Sequence, residues 1–197
     1  ILPTLIFTMI TSLILGMGAP TTANYVITST VAAPALIKLG TPVMAAHMFV
    51  FYFGIVADIT PPVALAAMAG AAIAKSDPMK TGVNATKLAI GAFIVPYIFV
   101  FSPALLMINA TLLEIAQMTA TAVLGMIGVG AAVEGWYWTR MTWWERILGV
   151  LAGLLLIDPG TVTDIIGIIL LAFVTAIQYR KARSNRGLLK GSAAAIN

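Results

Sequence analysis

The sequence predicts an all-α integral membrane protein. Of its 197 residues, 60% are hydrophobic and only 9% are charged, and the mean hydropathy is +1.02. The few charged residues leave long uncharged runs between them. Soluble domains carry about 25% charged residues, so this chain cannot cover its surface with polar groups in water. A soluble enzyme and an intrinsically disordered chain are therefore both excluded.

The residues that carry most enzyme chemistry are scarce. The chain has no Cys and one His, His47, so it can build neither a thiolate nucleophile nor a multi-His metal site. Asp58 lies eleven residues beyond His47, roughly three helical turns away. We therefore predict no enzyme activity and no cofactor. The net charge of +4 is interpreted as a signal of membrane topology, and no nucleic-acid partner is expected.

The first uncharged run, residues 1–37, is too long for one membrane helix. At 1.5 Å per residue it would span roughly 55 Å, against a hydrocarbon core of about 30 Å. The motif Gly16–Thr22 in its middle holds two Gly and one Pro, which break a helix. We predict a re-entrant helical hairpin with this motif as its tip. Irregular backbone at membrane depth needs protein or a water-filled cavity around it.

The next segment, residues 42–74, predicts one discontinuous transmembrane helix. Pro42 suits the first turn of a helix, and the motif Asp58-Ile59-Thr60-Pro61-Pro62 interrupts it. Proline has no amide hydrogen, so nearby carbonyls lose their helical partners. The second part, Val63–Ala74, is rich in small residues, which permit close helix packing.

About four further transmembrane helices are predicted, at 88–113, 115–133, 146–157 and 161–179. A polar linker, Ser76–Lys87, precedes them. With these spans, ten of the eleven Lys and Arg residues fall on one side of the membrane, which by the positive-inside rule is the cytoplasm. The basic C-terminal tail is therefore predicted to be cytoplasmic. The four Trp between positions 136 and 144 indicate an aromatic anchor at the membrane interface.

Two interrupted segments in succession are typical of an ion-coupled transport site. A broken helix frees carbonyl oxygens that suit Na⁺, and the half-helix after it directs amides at the break, which suits a carboxylate. The candidate ion- and substrate-binding residues are Gly16, Gly18, Pro20, Thr21, Thr22, Asn24, Asp58, Thr60, Pro61 and Pro62. Backbone or hydroxyl oxygens of Gly16, Gly18 and Thr60 are the candidate Na⁺ ligands.

Two ionisable residues near the breaks have more than one interpretation. Asp58 is a functional carboxylate at membrane depth or a cap for the half-helix that follows, and both roles can hold together. His47 is interpreted as an interfacial or packed histidine rather than a proton carrier.

The stretches Gly16–Tyr25 and Phe53–Leu65 resemble the large permease subunit of tripartite ATP-independent periplasmic (TRAP) transporters, especially the fused type that works with TAXI-class binding proteins. The resemblance covers about residues 1–110, and Trp143–Gly160 is similar to the C-terminal helices of the fused type. It implies an elevator-type secondary transporter. Hairpin 1–37, broken helix 42–74 and helix 88–110 would then be the second half of its transport domain. Residues 111–197 would be C-terminal transmembrane helices and the tail.

The resemblance also implies a function. The protein would carry small organic acids across the bacterial inner membrane, with Na⁺ as the coupling ion and no other cofactor. Its partners would be a periplasmic TAXI-type solute-binding protein, the upstream part of the same permease with its small-subunit-like helices, and the lipid bilayer. Two alternatives stay open: a structural or scaffold membrane module, and an H⁺-coupled transporter of another family.

Overall fold

The computed structural model describes residues 1–158 and 160–194, with the side chains of 184–194 excepted. Over these residues the chain is helical and contains no β-strand, which confirms the predicted all-α fold class. The α-helices are α1 (Leu2–Gly16), α2 (Thr21–Val31), α3 (Ala33–Lys38), α4 (Val43–Val56), α5 (Leu65–Ala74), α6 (Pro78–Leu88), α7 (Ile90–Phe101), α8 (Leu112–Glu134), α9 (Trp143–Ile157) and α10 (Thr161–Ala194). Two short 3₁₀ helices span Ala57–Ile59 and Pro103–Leu106.

The chain divides into two compact units, residues 1–118 and 119–197. Helix α4 lies at the centre of the first unit and packs against α1, α2, α3 and α7. Phe49 of α4 makes edge-to-face ring contacts with Phe53, at 4.9 Å, and with Tyr97 of α7, at 5.2 Å. Aromatic pairs of this geometry add stability beyond their buried area. Phe49 and Phe53 share one buried cluster with Leu5 of α1 and Leu36 of α3, which packs these helices against the first half of the broken helix.

The first predicted break is present between α1 and α2, at Met17–Pro20. Gly18 has a φ of +78°, a conformation that glycine adopts without steric cost. Helices α1 and α2 pack against each other, as the arms of a hairpin do. The second arm is interrupted again at Ala32, because Pro34 lies in the first turn of α3 and has no amide hydrogen to continue α2.

The second predicted break is also present. Helix α4 ends at Val56, the 3₁₀ turn follows, and α5 begins only at Leu65. The Pro61–Pro62 peptide bond is cis, and Ala64 adopts a left-handed conformation with a φ of 39°. The segment 42–74 is therefore discontinuous at the proline pair.

The structure corrects the predicted polar linker Ser76–Lys87, most of which is helix α6. Asp77 caps this helix, since its Oδ1 accepts a hydrogen bond of 2.8 Å from the amide of Lys80, and Pro78 occupies the first turn. An Asp-Pro pair is a common helix start. The predicted helix 88–113 is also shorter, because α7 ends at Phe101 and Pro103 follows.

Among the described residues, two helices are long and apolar enough to cross a membrane by themselves. They are α8 and the part of α10 from Thr161 to Arg183. Helices α6 and α7, bent by 41°, form a third candidate if they act as one span. Helix α9 has 15 residues and would cover roughly 22 Å, so the predicted span 146–157 is shorter than a full crossing.

In the second unit, α9 packs against α8 through glycines. A Cβ atom on Gly153 would lie 2.5 Å from the carbonyl oxygen of Gly125, and one on Gly149 would lie 3.0 Å from the Cβ of Ala132. Small residues at this spacing let membrane helices approach closely. Gly149 and Gly153 therefore carry the close contact of α9 with α8.

Glu145 ties α9 to α10. Its carboxylate lies 2.5 Å from the Nζ of Lys181 and accepts hydrogen bonds from Gln178, at 2.9 Å, and the Thr142 amide, at 2.7 Å. Burial by itself would raise the pKa of Glu145, but the hydrogen bonds from Lys181 and Thr142 hold this pKa below its ordinary value. The basic tail continues α10. The side chains of Arg186 and Lys190 lie outside the described residues.

Candidate functional site

Asn24 joins the hairpin to the broken helix. It lies in the first turn of α2 and is 2% exposed. Its Nδ2 donates a hydrogen bond of 2.6 Å to the carbonyl oxygen of Gly54, in the last turn of α4. A buried amide that bonds to backbone in this way holds two elements in one register. The two helix breaks are therefore linked through one side chain.

Two glycines make this contact possible. A Cβ atom on Gly16 would lie 2.6 Å from Asn24 Nδ2 and 2.8 Å from the Cβ of Ala57. A Cβ atom on Gly54 would lie 2.9 Å from the same Nδ2. Such distances are shorter than a van der Waals contact between carbon atoms. The ends of α1 and α4 therefore approach the start of α2 as closely as they do because both positions are glycine.

Two buried oxygens near this contact have no hydrogen-bond partner among the described residues. They are Oδ1 of Asn24 and Oγ of Ser12, and Ser12 is 0% exposed. Ser12 lies one turn before Gly16 on α1, and the buried Thr8 lies one turn earlier. An unsatisfied buried polar atom costs about 1–3 kcal/mol. Such atoms mark a position where a ligand or a water molecule would supply the missing bond.

At the second break, two threonine hydroxyls donate hydrogen bonds to backbone carbonyl oxygens. The Oγ1 of Thr60 donates to the carbonyl oxygen of Val56 at 2.7 Å. The Oγ1 of Thr86, in α6, donates to the carbonyl oxygen of Ile59 at 3.1 Å. The prediction that this break leaves its carbonyls free is therefore corrected for these two. Each carbonyl and hydroxyl oxygen keeps further lone pairs for a cation.

Helix α6 shapes the second break from one side. A Cβ atom on Gly82 would lie 3.2 Å from Cγ of Pro61 and 3.4 Å from the Cβ of Ala64. Gly82 and Thr86 are four residues apart and so share one helix face. The sequence-based site did not include these two residues. Only the Asp77–Pro78 helix start could have indicated a helix here.

The remaining predicted site residues are more open to solvent. Asp58, Thr60 and Pro61 are half-buried, and the exposed ones are Gly18, Pro20, Thr21, Thr22 and Pro62. A Cβ atom on Gly18 would meet nothing within 4 Å, so this glycine serves the turn conformation and not close packing. The structure thus brings Gly16 and Asn24 together with the end of α4, and leaves the hairpin tip accessible.

A helix without a side-chain cap begins after each break. The residues at the cap positions of α2 and α5 are Pro20 and Ala64, and neither makes a side-chain hydrogen bond there. The first amides of such helices lack intrahelical partners, and the helix dipole adds positive charge. Anions bind well at such an end. Each break therefore places oxygen acceptors before it and amide donors after it.

The histidine lies on α4 and contacts the second arm of the hairpin. His47 is half-buried, and its Nδ1 lies 3.0 Å from the hydroxyl of Tyr25. The Tyr25 ring also contacts Phe51 edge-to-face at 5.5 Å. This agrees with the interpretation of His47 as a packed residue. Tyr25 follows Asn24 directly, so the contact between Tyr25 and His47 also helps to fix the position of α2 on α4.

A helical membrane protein with two interrupted segments joined at a buried polar residue has the architecture of a secondary transporter. Residues 2–114 match the sequence model of the family described as the tripartite ATP-independent periplasmic transporter, DctM component. The chain belongs to this family, and the resemblance to a TRAP large permease is confirmed. Residues 115–167 match a domain of unknown function, DUF3394. Comparison with curated proteins and with solved structures gave no match.

Proposed function

We propose that this chain takes part in Na⁺-coupled uptake of small carboxylates across the bacterial inner membrane. The substrate would be delivered by a periplasmic TAXI-type binding protein, and the upstream part of the same permease would complete the transport domain. The single observation that carries the proposal is the unpartnered Oδ1 of Asn24, buried where the hairpin meets the broken helix. Membership of the TRAP family supplies the transport class.

The oxygens around Asn24 favour a monovalent cation. Asn24 Oδ1 and the carbonyl of Gly54 are neutral hard ligands, and the hydroxyl of Thr60 is a further candidate. The part of the chain that the structure describes contains no cluster of three His, Cys, Asp or Glu side chains. A divalent or transition metal usually takes carboxylate, imidazole or thiolate ligands. A neutral oxygen set suits Na⁺ better.

The helix starts favour a carboxylate substrate. The amides that open α2 and α5 have no side-chain cap, and the hydroxyls of Thr21 and Thr22 are exposed beside the first of them. Charge-assisted hydrogen bonds from amides to a carboxylate are roughly twice as strong as neutral ones. A bound Na⁺ next to these amides would further favour the anion.

The predicted topology indicates the side of the membrane from which the substrate would enter. By the positive-inside rule, the basic regions favour a cytoplasmic tail, and the loop Lys38–Thr41 would then face the periplasm. A substrate from the binding protein would enter on that side. The localisation would be the bacterial inner membrane.

The test uses the full-length transporter and its binding protein in liposomes. Asn24→Ala should raise the Na⁺ concentration for half-maximal uptake about tenfold or more, which corresponds to about 1.4 kcal/mol for one lost ligand. Thr30→Ala removes an exposed hydroxyl on the same helix and should leave this concentration unchanged. Thr60→Ala and Gly18→Leu should also reduce Na⁺-dependent uptake. An identical Na⁺ response in the Asn24 and Thr30 variants would refute the cation site.

A further inference from the structure

A surface cleft of about 680 Å³ lies in the second unit, beside the loop that joins α8 to α9. The proposed transport site does not use it. Its lining residues are Glu134, Gly135, Trp136, Arg140, Met141 and Arg146. Its lining therefore includes two arginines, one glutamate and one tryptophan.

Arg146 is held in a fixed position at the cleft. Its Nε and Nη2 donate hydrogen bonds of 2.7 Å each to the carbonyl oxygens of Ala132 and Val133, at the end of α8. Gly135, with a φ of +77°, lets the guanidinium approach the loop, because a Cβ atom there would lie 3.3 Å from Cζ. The Nη1 has no hydrogen-bond partner among the described residues. A fixed guanidinium with free donors is well suited to bind phosphate.

Arg140 and Glu134 supply two more free charges. Both side chains are exposed, and neither forms an ion pair or side-chain hydrogen bond within the described part of the chain. The loop that carries Arg140 is closed by a bridge between Trp136 and Arg140 and by a 2.9 Å hydrogen bond from the Met141 amide to Gly135. The cleft thus presents charges of both signs on an ordered loop.

The surrounding tryptophans indicate the depth of the cleft in the membrane. It lies where the apolar helix α8 ends. The neighbouring indoles are 47% to 77% exposed, and they belong to Trp136, Trp138, Trp143 and Trp144. Exposed Trp residues at the end of a membrane span lie at the level of the lipid headgroups. A ligand of the cleft is therefore expected to come from the bilayer.

We propose that this cleft binds the headgroup of an aminophospholipid. The phosphate would accept hydrogen bonds from Arg140 and from the free Nη1 of Arg146, and the primary amine would donate to the carboxylate of Glu134. An anionic headgroup without an amine would face the Glu134 carboxylate and be repelled by it. The amphoteric headgroup matches all three charges, and the site would give the DUF3394 region a role in lipid binding.

Native mass spectrometry of the delipidated full-length protein tests this proposal. Phosphatidylethanolamine, phosphatidylglycerol and phosphatidylcholine are added at equal concentration. The ethanolamine lipid should be retained most. Glu134→Gln should reduce the preference of the protein for phosphatidylethanolamine over phosphatidylglycerol by about tenfold, the effect of one charge-assisted hydrogen bond. Arg140→Gln should weaken the binding of both of these lipids. Arg183→Gln, an exposed basic residue outside the cleft, should change neither.

Three results would overturn the proposal. The first is retention of phosphatidylglycerol or phosphatidylcholine at least as strong as that of the ethanolamine lipid. The second is equal behaviour of the Arg140→Gln and Arg183→Gln variants. The third is displacement of the lipid by millimolar inorganic phosphate, which would assign the cleft to a free anion. Arg146 is left unchanged throughout, because it also caps α8.

Discussion

Replacing Gly16 with alanine tests whether the hairpin must touch the broken helix. The new Cβ would lie 2.6 Å from Asn24 Nδ2, 2.8 Å from Ala57 Cβ and 2.9 Å from the Gly54 carbonyl oxygen. Ala57 and Gly54 lie on a well-packed helix end and cannot yield by rotating a flexible side chain. Overpacking of this kind typically costs about 1–3 kcal/mol. Displacing Asn24 would add about 0.5–1.5 kcal/mol for its hydrogen bond to Gly54.

The matched control is Gly70→Ala in α5, where a Cβ atom would meet nothing within 4 Å. That change should be neutral or stabilise the helix by about 0.5–1 kcal/mol. The assay compares the thermal unfolding midpoint and the Na⁺-dependent uptake of both variants in the full-length transporter. Gly16→Ala should lower both quantities, and Gly70→Ala should lower neither. Equal midpoints and equal uptake in the two variants would refute the close contact.

Three further predictions concern the second unit. Gly153→Ala places a Cβ 2.5 Å from the Gly125 carbonyl oxygen and should destabilise the protein by about 1–3 kcal/mol, whereas Gly130→Ala meets open space and should be neutral in the same thermal assay. The pKa of Glu145 is lowered in the folded state, so its stabilising contribution is present above the unfolded pKa and is lost as the pH falls through the folded pKa. Wild-type stability should therefore drop more steeply on acidification than that of Glu145→Gln, and parallel pH curves would contradict this. A cysteine at position 184, from Ser184→Cys, should react with an impermeant reagent only from the cytoplasmic side, and labelling of intact cells would overturn the topology.

The two breaks could be predicted from the sequence because they follow from local backbone chemistry. The closely spaced Gly16, Gly18 and Pro20 and the adjacent Pro61 and Pro62 each disfavour a continuous helix through their local backbone preferences. The contact between Asn24 and Gly54 could not be predicted in the same way. It joins residues 30 positions apart and depends on how two helices cross. The sequence could therefore indicate candidate site residues such as Asn24, but it could not indicate that Asn24 contacts Gly54.

Other parts of the site were hidden because their sequence signals are weak. Helix α6 has little apolar character, so hydropathy marked it as a linker, and only the capped start at Asp77 indicates a helix. Its Thr86 then occupies the carbonyl of Ile59, which the sequence suggested was free. Ser12 is one hydroxyl in an apolar run, and only its burial without a partner distinguishes it. The Thr86–Ile59 hydrogen bond and the burial of Ser12 both depend on tertiary packing, which the local sequence does not reveal.

The most direct test of the account imposes one ion gradient at a time on liposomes that contain the full-length transporter and its binding protein. An inward Na⁺ gradient without a pH gradient should drive carboxylate uptake. At the Na⁺ concentration that gives half-maximal uptake in the wild type, Asn24→Ala should remove most of that uptake while Thr30→Ala preserves it. Uptake driven by a pH gradient in the absence of Na⁺, and equal in the wild type and the Asn24→Ala variant, would contradict a Na⁺ site between the hairpin and the broken helix.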